Sequence, residues 1–72
     1  MSYDYSALDG KITEIYKTRA KFANAIGFSE RTLSLKMNGK VSWKQKEISK
    51  TCDLLGIPDN KINCYFFKIK VQ

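Results

Sequence analysis

Apolar positions recur at helical spacing along most of the chain, and the period changes only near its end. Leu8, Ile12, Ile15 and Tyr16 fall at i, i+4, i+7 and i+8 and predict one stripe of a first helix. Ser6 with Asp9 three residues on has the form of a capping box at its start. Gly10, inside this helix, weakens it by up to about 1 kcal/mol relative to alanine, so tertiary packing must offset the loss. Thr18 suits the N-cap of a short second helix with Phe22, Ala23 and Ile26 on its inner face. Gly27 follows, the residue type that takes a left-handed conformation at a helix end at low cost. Ser29 then caps a third helix, with Leu33 and Met37 facing inward and Asn38-Gly39 ending it. Ser42 with Gln45 predicts a second capping box, opening a fourth helix with Ile48, Cys52 and Leu55 at i, i+4 and i+7. Gly56 closes that helix, and Pro58 suits the first turn of a short fifth one around Asp59 to Cys64.

From about residue 65 to residue 72 the chain reads as an extended tail. Apolar and polar residues alternate from Phe67 onward, the period of a strand. One strand has no partner in an otherwise helical chain. It must pack across the helices or pair with another molecule, which makes a weak homodimer through the tail one expectation. The fold class expected is therefore all-α: one compact five-helix domain over residues 1–72 with an extended C-terminal tail.

The chain length of 72 residues leaves no room for a second core. The net charge is +6, and its placement changes the picture more than its size. Between Thr18 and Lys50 stand eight basic residues, Arg19, Lys21, Arg31, Lys36, Lys40, Lys44, Lys46 and Lys50, opposed only by Glu30 and Glu47. The rest of the chain is balanced, so the whole excess sits in one segment, the expected footprint of a phosphate-facing surface. No apolar run approaches the ~18 residues that span a membrane, and Met1 to Asp4 lack the basic start and apolar stretch of a signal peptide. A cytoplasmic protein with no membrane role is expected. Cys52 and Cys64 lack the spacing of a redox or zinc motif and read as reduced, at least partly packed thiols. With no histidine, the usual general base and metal ligand are both missing, and no glycine-rich phosphate loop occurs. Neither an enzyme nor a cofactor or metal site is expected.

The informative segment runs from Arg19 to Asn38. A helix-turn-helix needs a small residue where its helices cross, a glycine in the turn, apolar residues bracketing that turn and a capping hydroxyl on the second helix. Ala23, Gly27, the set Phe22, Ile26, Phe28 and Leu33, and Ser29 meet these needs, with Met37 completing the inner face. The string from Lys21 to Lys40 resembles the helix-turn-helix of small phage Cro-like and repressor proteins. Downstream, Trp43, Glu47-Ile48, the run Cys52 to Pro58 and Tyr65-Phe66-Phe67 resemble one group of these, short regulators from temperate phages of Gram-positive bacteria.

The resemblance implies a repressor-like fold and a role in choosing between lysis and lysogeny. It also implies positions. Arg19 stands where such proteins bond a phosphate. Glu30, Arg31, Thr32 and Leu35 stand where recognition helices meet base edges, and Asn38 and Lys40 stand where the following turn touches the DNA backbone. Helical spacing turns Glu30, Arg31, Ser34 and Leu35 outward. Arg31 has the donors to bond guanine, and Thr32 could contact a thymine methyl or a phosphate. Lys36 occupies a position usually apolar in this motif, although its stem can lie along the core. Leu35 has three readings: a contact to thymine methyls, an ordinary exposed leucine, or an anchor for a protein partner. Two functions follow. In one, the recognition surface, with Leu35 and Glu30, docks on the phage's own repressor as a modulator of repression, with or without DNA. In the other, a dimer of Cro type binds double-stranded operator DNA directly.

Overall fold

A computed structural model of the protein describes residues 3–69. Its elements are α1 (Ser6–Tyr16), α2 (Arg19–Ile26), α3 (Glu30–Met37), α4 (Gln45–Leu55) and, after a 3-10 turn at Asp59–Lys61, α5 (Ile62–Phe66). The all-helical expectation holds. One core is built from Leu8 and Ile12 of α1, Phe22, Ala23 and Ile26 of α2, Leu33 and Met37 of α3, Cys52 and Leu55 of α4, with Ile57 and Phe66. α1 packs against α2, α4 and α5, and α2 packs against α3 and α4.

The turn between α2 and α3 forms as its residue types dictate. The Thr18 hydroxyl accepts from the Lys21 N–H at 3.2 Å and opens α2. The Ala23 carbonyl accepts from both Gly27 and Phe28, each at 2.9 Å, which ends the helix and turns the chain. Gly27 sits at φ 87°, a left-handed conformation that other residues adopt only with strain. The Ser29 hydroxyl accepts from the Thr32 N–H at 3.1 Å and starts α3. Ala23 is buried because its lack of a long side chain lets α2 lie close to its neighbours.

Four local expectations are corrected. At the head of α1, Ser6 is already helical, and its N–H and hydroxyl both donate to Asp4, at 2.9 and 2.6 Å, so Asp4 supplies the carboxylate assigned to the Ser6–Asp9 pair. α4 is opened by Lys44 rather than Ser42: the Lys44 N–H donates to the Glu47 carboxylate at 2.9 Å. Ile15 is exposed, since α1 buries Leu8 and Ile12 in the core and packs half-buried Tyr16 against it, leaving Ile15 on the outer side. Cys64 is exposed, and only Cys52 is packed.

The tail is corrected most. Tyr65 and Phe66 belong to α5, and Phe66 is fully buried. Ile69 pairs antiparallel with Tyr3, and the Asp4 N–H donates to the Lys68 carbonyl at 2.7 Å. Ile69 thus finds its partner in Tyr3 of the same chain, a pairing for which the sequence reading offered no candidate. Residues 70–72 of the expected tail lie outside the described ones.

Between α3 and α4 lies an ion pair whose lysine is buried and whose glutamate is half-buried. Lys36 is 3 % exposed. Its Nζ donates to Glu47 Oε1 at 2.8 Å and to the Ser42 carbonyl at 2.9 Å. It also stands 5.3 Å from the Phe28 ring centre and 5.9 Å from that of Trp43, within cation–π range. Burial pushes the Glu47 carboxyl up, and this is the largest single influence. The hydrogen bonds from Lys36 and the Lys44 N–H, with the charges of both lysines, together outweigh it and hold the carboxyl below its ordinary value.

Three outcomes follow for stability. Glu47→Gln leaves the Lys36 ammonium buried without a counter-charge and should cost about 3 kcal/mol in urea unfolding. Adding Lys36→Met should restore most of it; a single variant within ~0.5 kcal/mol of the parent would remove the pair from any structural role. Because the folded Glu47 value is lowered, the stability it contributes is present above the ordinary glutamate value of 4.5 and fades as pH falls through the lower folded one. Glu47→Gln should flatten that part of the acid limb. Gly10 has open space around it and lies within α1. Gly10→Ala should therefore gain up to ~1 kcal/mol, raising Tm by roughly 4–8 °C in thermal circular dichroism.

Candidate functional site: the exposed face of α3

α3 has α2 as its main packing neighbour and carries Leu33, Lys36 and Met37 inward. The residues that remain divide into two ends. At the first turn Ser29, Glu30 and Arg31 are exposed side by side. At the far end, about 12 Å away along eight residues, Asn38 and Lys40 are exposed on a turn that folds back over the helix. In that turn the Leu35 carbonyl accepts from Lys40 and Val41, at 2.9 and 3.3 Å, and the Ser34 carbonyl accepts from Asn38 at 3.0 Å.

Several expected contact residues are placed differently from the expectation. Lys36 is a structural cation beneath Phe28 and Trp43 and offers no charge to a partner. Its stem runs along the core because the pattern of α3 makes that position an inner one, and Glu47 from α4 meets the ammonium there. Leu35 and Ser34 are half-buried rather than turned fully outward. Thr32 is half-buried, and its hydroxyl accepts from the Ser29 hydroxyl at 2.9 Å within the helix cap. Arg19 is exposed at the start of α2, but its Nε donates to Asp9 of α1 at 2.8 Å, which raises the guanidinium above its ordinary value. Of the residues expected to bind, the structure groups Ser29, Glu30 and Arg31 at one end of α3 and Asn38 and Lys40 at the other. Phe22, Ala23, Ile26, Gly27, Leu33 and Met37 take the structural parts expected of them, five as buried residues and Gly27 as the turn.

The remaining basic residues are spread over three elements. Lys21 lies on α2, Lys40 and Lys44 on the segment before α4, and Lys46 and Lys50 on α4, all exposed. Lys46 and Lys50 line a shallow depression on α4 with Gln45, Ser49 and Asp53. Sequence reading missed Glu47 as the anion that consumes Lys36. The one available signal was a lysine at an otherwise apolar position, which calls for a counter-charge close in space. Among the described residues no helix is long and apolar enough to cross a membrane, and no cluster of histidine, cysteine or carboxylate side chains is placed to hold a metal ion.

Comparison with curated proteins finds no match. Among solved structures, the chain is similar to the modulator of repression (MOR) of the temperate bacteriophage TP901-1 from Lactococcus lactis. The two share 54 % identity with a TM-score of 0.83, over 100 % of this chain and 97 % of that one. The likeness to small temperate-phage regulators read from the residues is thereby borne out. A family model described as a protein of unknown function, DUF739, matches residues 1–69, and the chain belongs to that family.

Proposed function

We propose that this protein is a modulator of repression in the switch of a temperate phage, acting by binding and without catalysis in the cytoplasm of the bacterial host. The observation that carries the reading is the 54 % identity to a phage modulator of repression over the whole chain. In this reading α2 and α3 form a helix-turn-helix, and the first turn of α3 docks on the phage's own repressor, with or without DNA. Two placements support a protein partner over direct operator reading. Arg19, the expected phosphate ligand, already bonds Asp9. Glu30 is exposed at the start of α3, where its charge repels phosphate.

A second reading, a Cro-type dimer on operator DNA, is favoured by one feature: the net +6 gathered between Thr18 and Lys50. It asks for DNA binding by the chain alone.

Mixed at micromolar concentration with the repressor encoded beside it, the protein should co-elute in size-exclusion chromatography. Arg31→Glu should weaken the complex tenfold or more, with helical circular dichroism unchanged. No complex with the repressor, with or without operator DNA, would remove the reading; a complex indifferent to both Arg31→Glu and Glu30→Lys would move the contact off α3. For the second reading, the chain alone should shift switch-region DNA with an affinity that falls steeply with salt. No shift at physiological salt excludes it.

A further inference from the structure

The chain has two arginines, Arg19 and Arg31, among its 13 basic residues. A guanidinium presents a planar fork of donors that matches a phosphate, whereas an ammonium acts as a point charge. The arginines are therefore the side chains best fitted to a DNA backbone. Each stands beside a carboxylate. Arg19 Nε donates to Asp9 Oδ1 at 2.8 Å, and Glu30 precedes Arg31 in the chain, both of them exposed. The exposed lysines of the basic segment, Lys21, Lys40, Lys44, Lys46 and Lys50, make no ion pair among the described residues. On the outside of the segment, counter-charge is placed at the arginines and not at the lysines.

The Asp9–Arg19 contact does little for the fold. It joins α1 to α2 across ten residues of sequence. These helices already share the core through Leu8, Ile12, Phe22 and Ala23, and the rings of Tyr16 and Phe22 meet edge-on at 5.4 Å. The two charged side chains are 43 and 39 % exposed, and an ion pair so open to water adds little stability.

Its consequence lies on the surface. Arg19 is the first residue of α2 and is flanked by exposed Lys17 and Lys21. A phosphate drawn to this corner meets Asp9 together with the cations. Even when Arg19 turns to the phosphate, the carboxylate stays beside it, and like charges so close repel. Asp9 thus opposes DNA twice: it takes up a donor of the guanidinium, and it repels what the guanidinium would otherwise hold.

We propose that Asp9 is a specificity-determining residue: it holds Arg19 in place of a phosphate, withholds the start of α2 from DNA and so leaves the chain to a protein partner. The inference rests on the reading that the chain binds the phage's repressor, and it names the residue that sets this preference. Because the contact is exposed it tunes DNA affinity, by about tenfold for the freed donor and the removed repulsion together.

The test compares the full chain with Asp9→Asn by fluorescence anisotropy of a short labelled DNA duplex of mixed sequence, from low to physiological salt. Asp9→Asn should bind the duplex about tenfold more tightly at low salt. Its plot of log affinity against log salt should steepen by about 0.9, the counterion release of one further phosphate contact. In an Arg19→Gln background the same substitution should change neither quantity. Glu14→Gln, which removes the same charge from the exposed side of α1, should not reproduce the gain. Helical circular dichroism and co-elution with the repressor should be retained. Equal affinity and slope for the parent and Asp9→Asn would overturn the proposal. A gain that survives Arg19→Gln, or an equal gain from Glu14→Gln, would overturn it by assigning the effect to net charge. Loss of the repressor complex in Asp9→Asn would overturn it by placing Asp9 in that interface. The duplex measurement contains no repressor, so the part of Asp9 is decided separately from the reading on which it rests.

Discussion

The position of α3 depends on one buried ammonium. α3 is eight residues long, too short to be stable on its own, and its main packing neighbour is α2. Lys36 reaches from its inner face to the Glu47 carboxylate and the Ser42 carbonyl, so one side chain ties the helix to α4 and to the segment before it. A lysine removed from water needs this company, because an ammionium without a counter-charge is expensive to bury. Glu47 in turn serves two groups. It balances Lys36 and accepts from the Lys44 N–H, and this second bond sets where α4 begins. The N-cap lies two residues beyond Ser42, at Lys44, because the carboxylate that meets Lys36 is also the one that caps.

The same arrangement changes the surface a partner meets. Of the eight cations between Thr18 and Lys50, Lys36 is neutralised inside the protein and Arg19 is held by Asp9. What remains outside is Arg31 beside Glu30 at the start of α3, and lysines distributed over α2, the connecting segment and α4. A face of mixed sign at the head of α3 suits a protein surface with its own charges, whereas a uniformly basic face suits a phosphate backbone.

Trp43 joins this centre to the chain ends. Its ring lies 6.2 Å from Phe28, 5.2 Å from Phe66 and 6.5 Å from Tyr5, and Tyr3 continues the aromatic series to Phe67 at 5.7 Å. The cation beneath Trp43 and the pairing of Tyr3 with Ile69 thus belong to one connected aromatic layer. Its edges carry much of the exposed apolar surface.

Local rules were enough for much of this molecule. Helical spacing identified the inner faces of α1 to α4 in large part. The hydroxyls of Thr18 and Ser29 and the conformational freedom of Gly27 determined where α2 begins and ends and where α3 begins, since each acts on main-chain groups within four residues. The all-helical class and the α2–turn–α3 arrangement follow from those short-range effects. Tertiary structure decided what depends on groups far apart in sequence. Lys36 became a core residue because Glu47, eleven positions later, comes to meet it. Ser6 yielded its expected capping part to Asp4, and Ser42 its own to Lys44 and Glu47. Ile69, at the start of the alternating end, pairs within the molecule because Tyr3 offers it a strand partner 66 residues away. A periodicity records which side of an element is apolar; it carries no record of which distant group will come to lie against it.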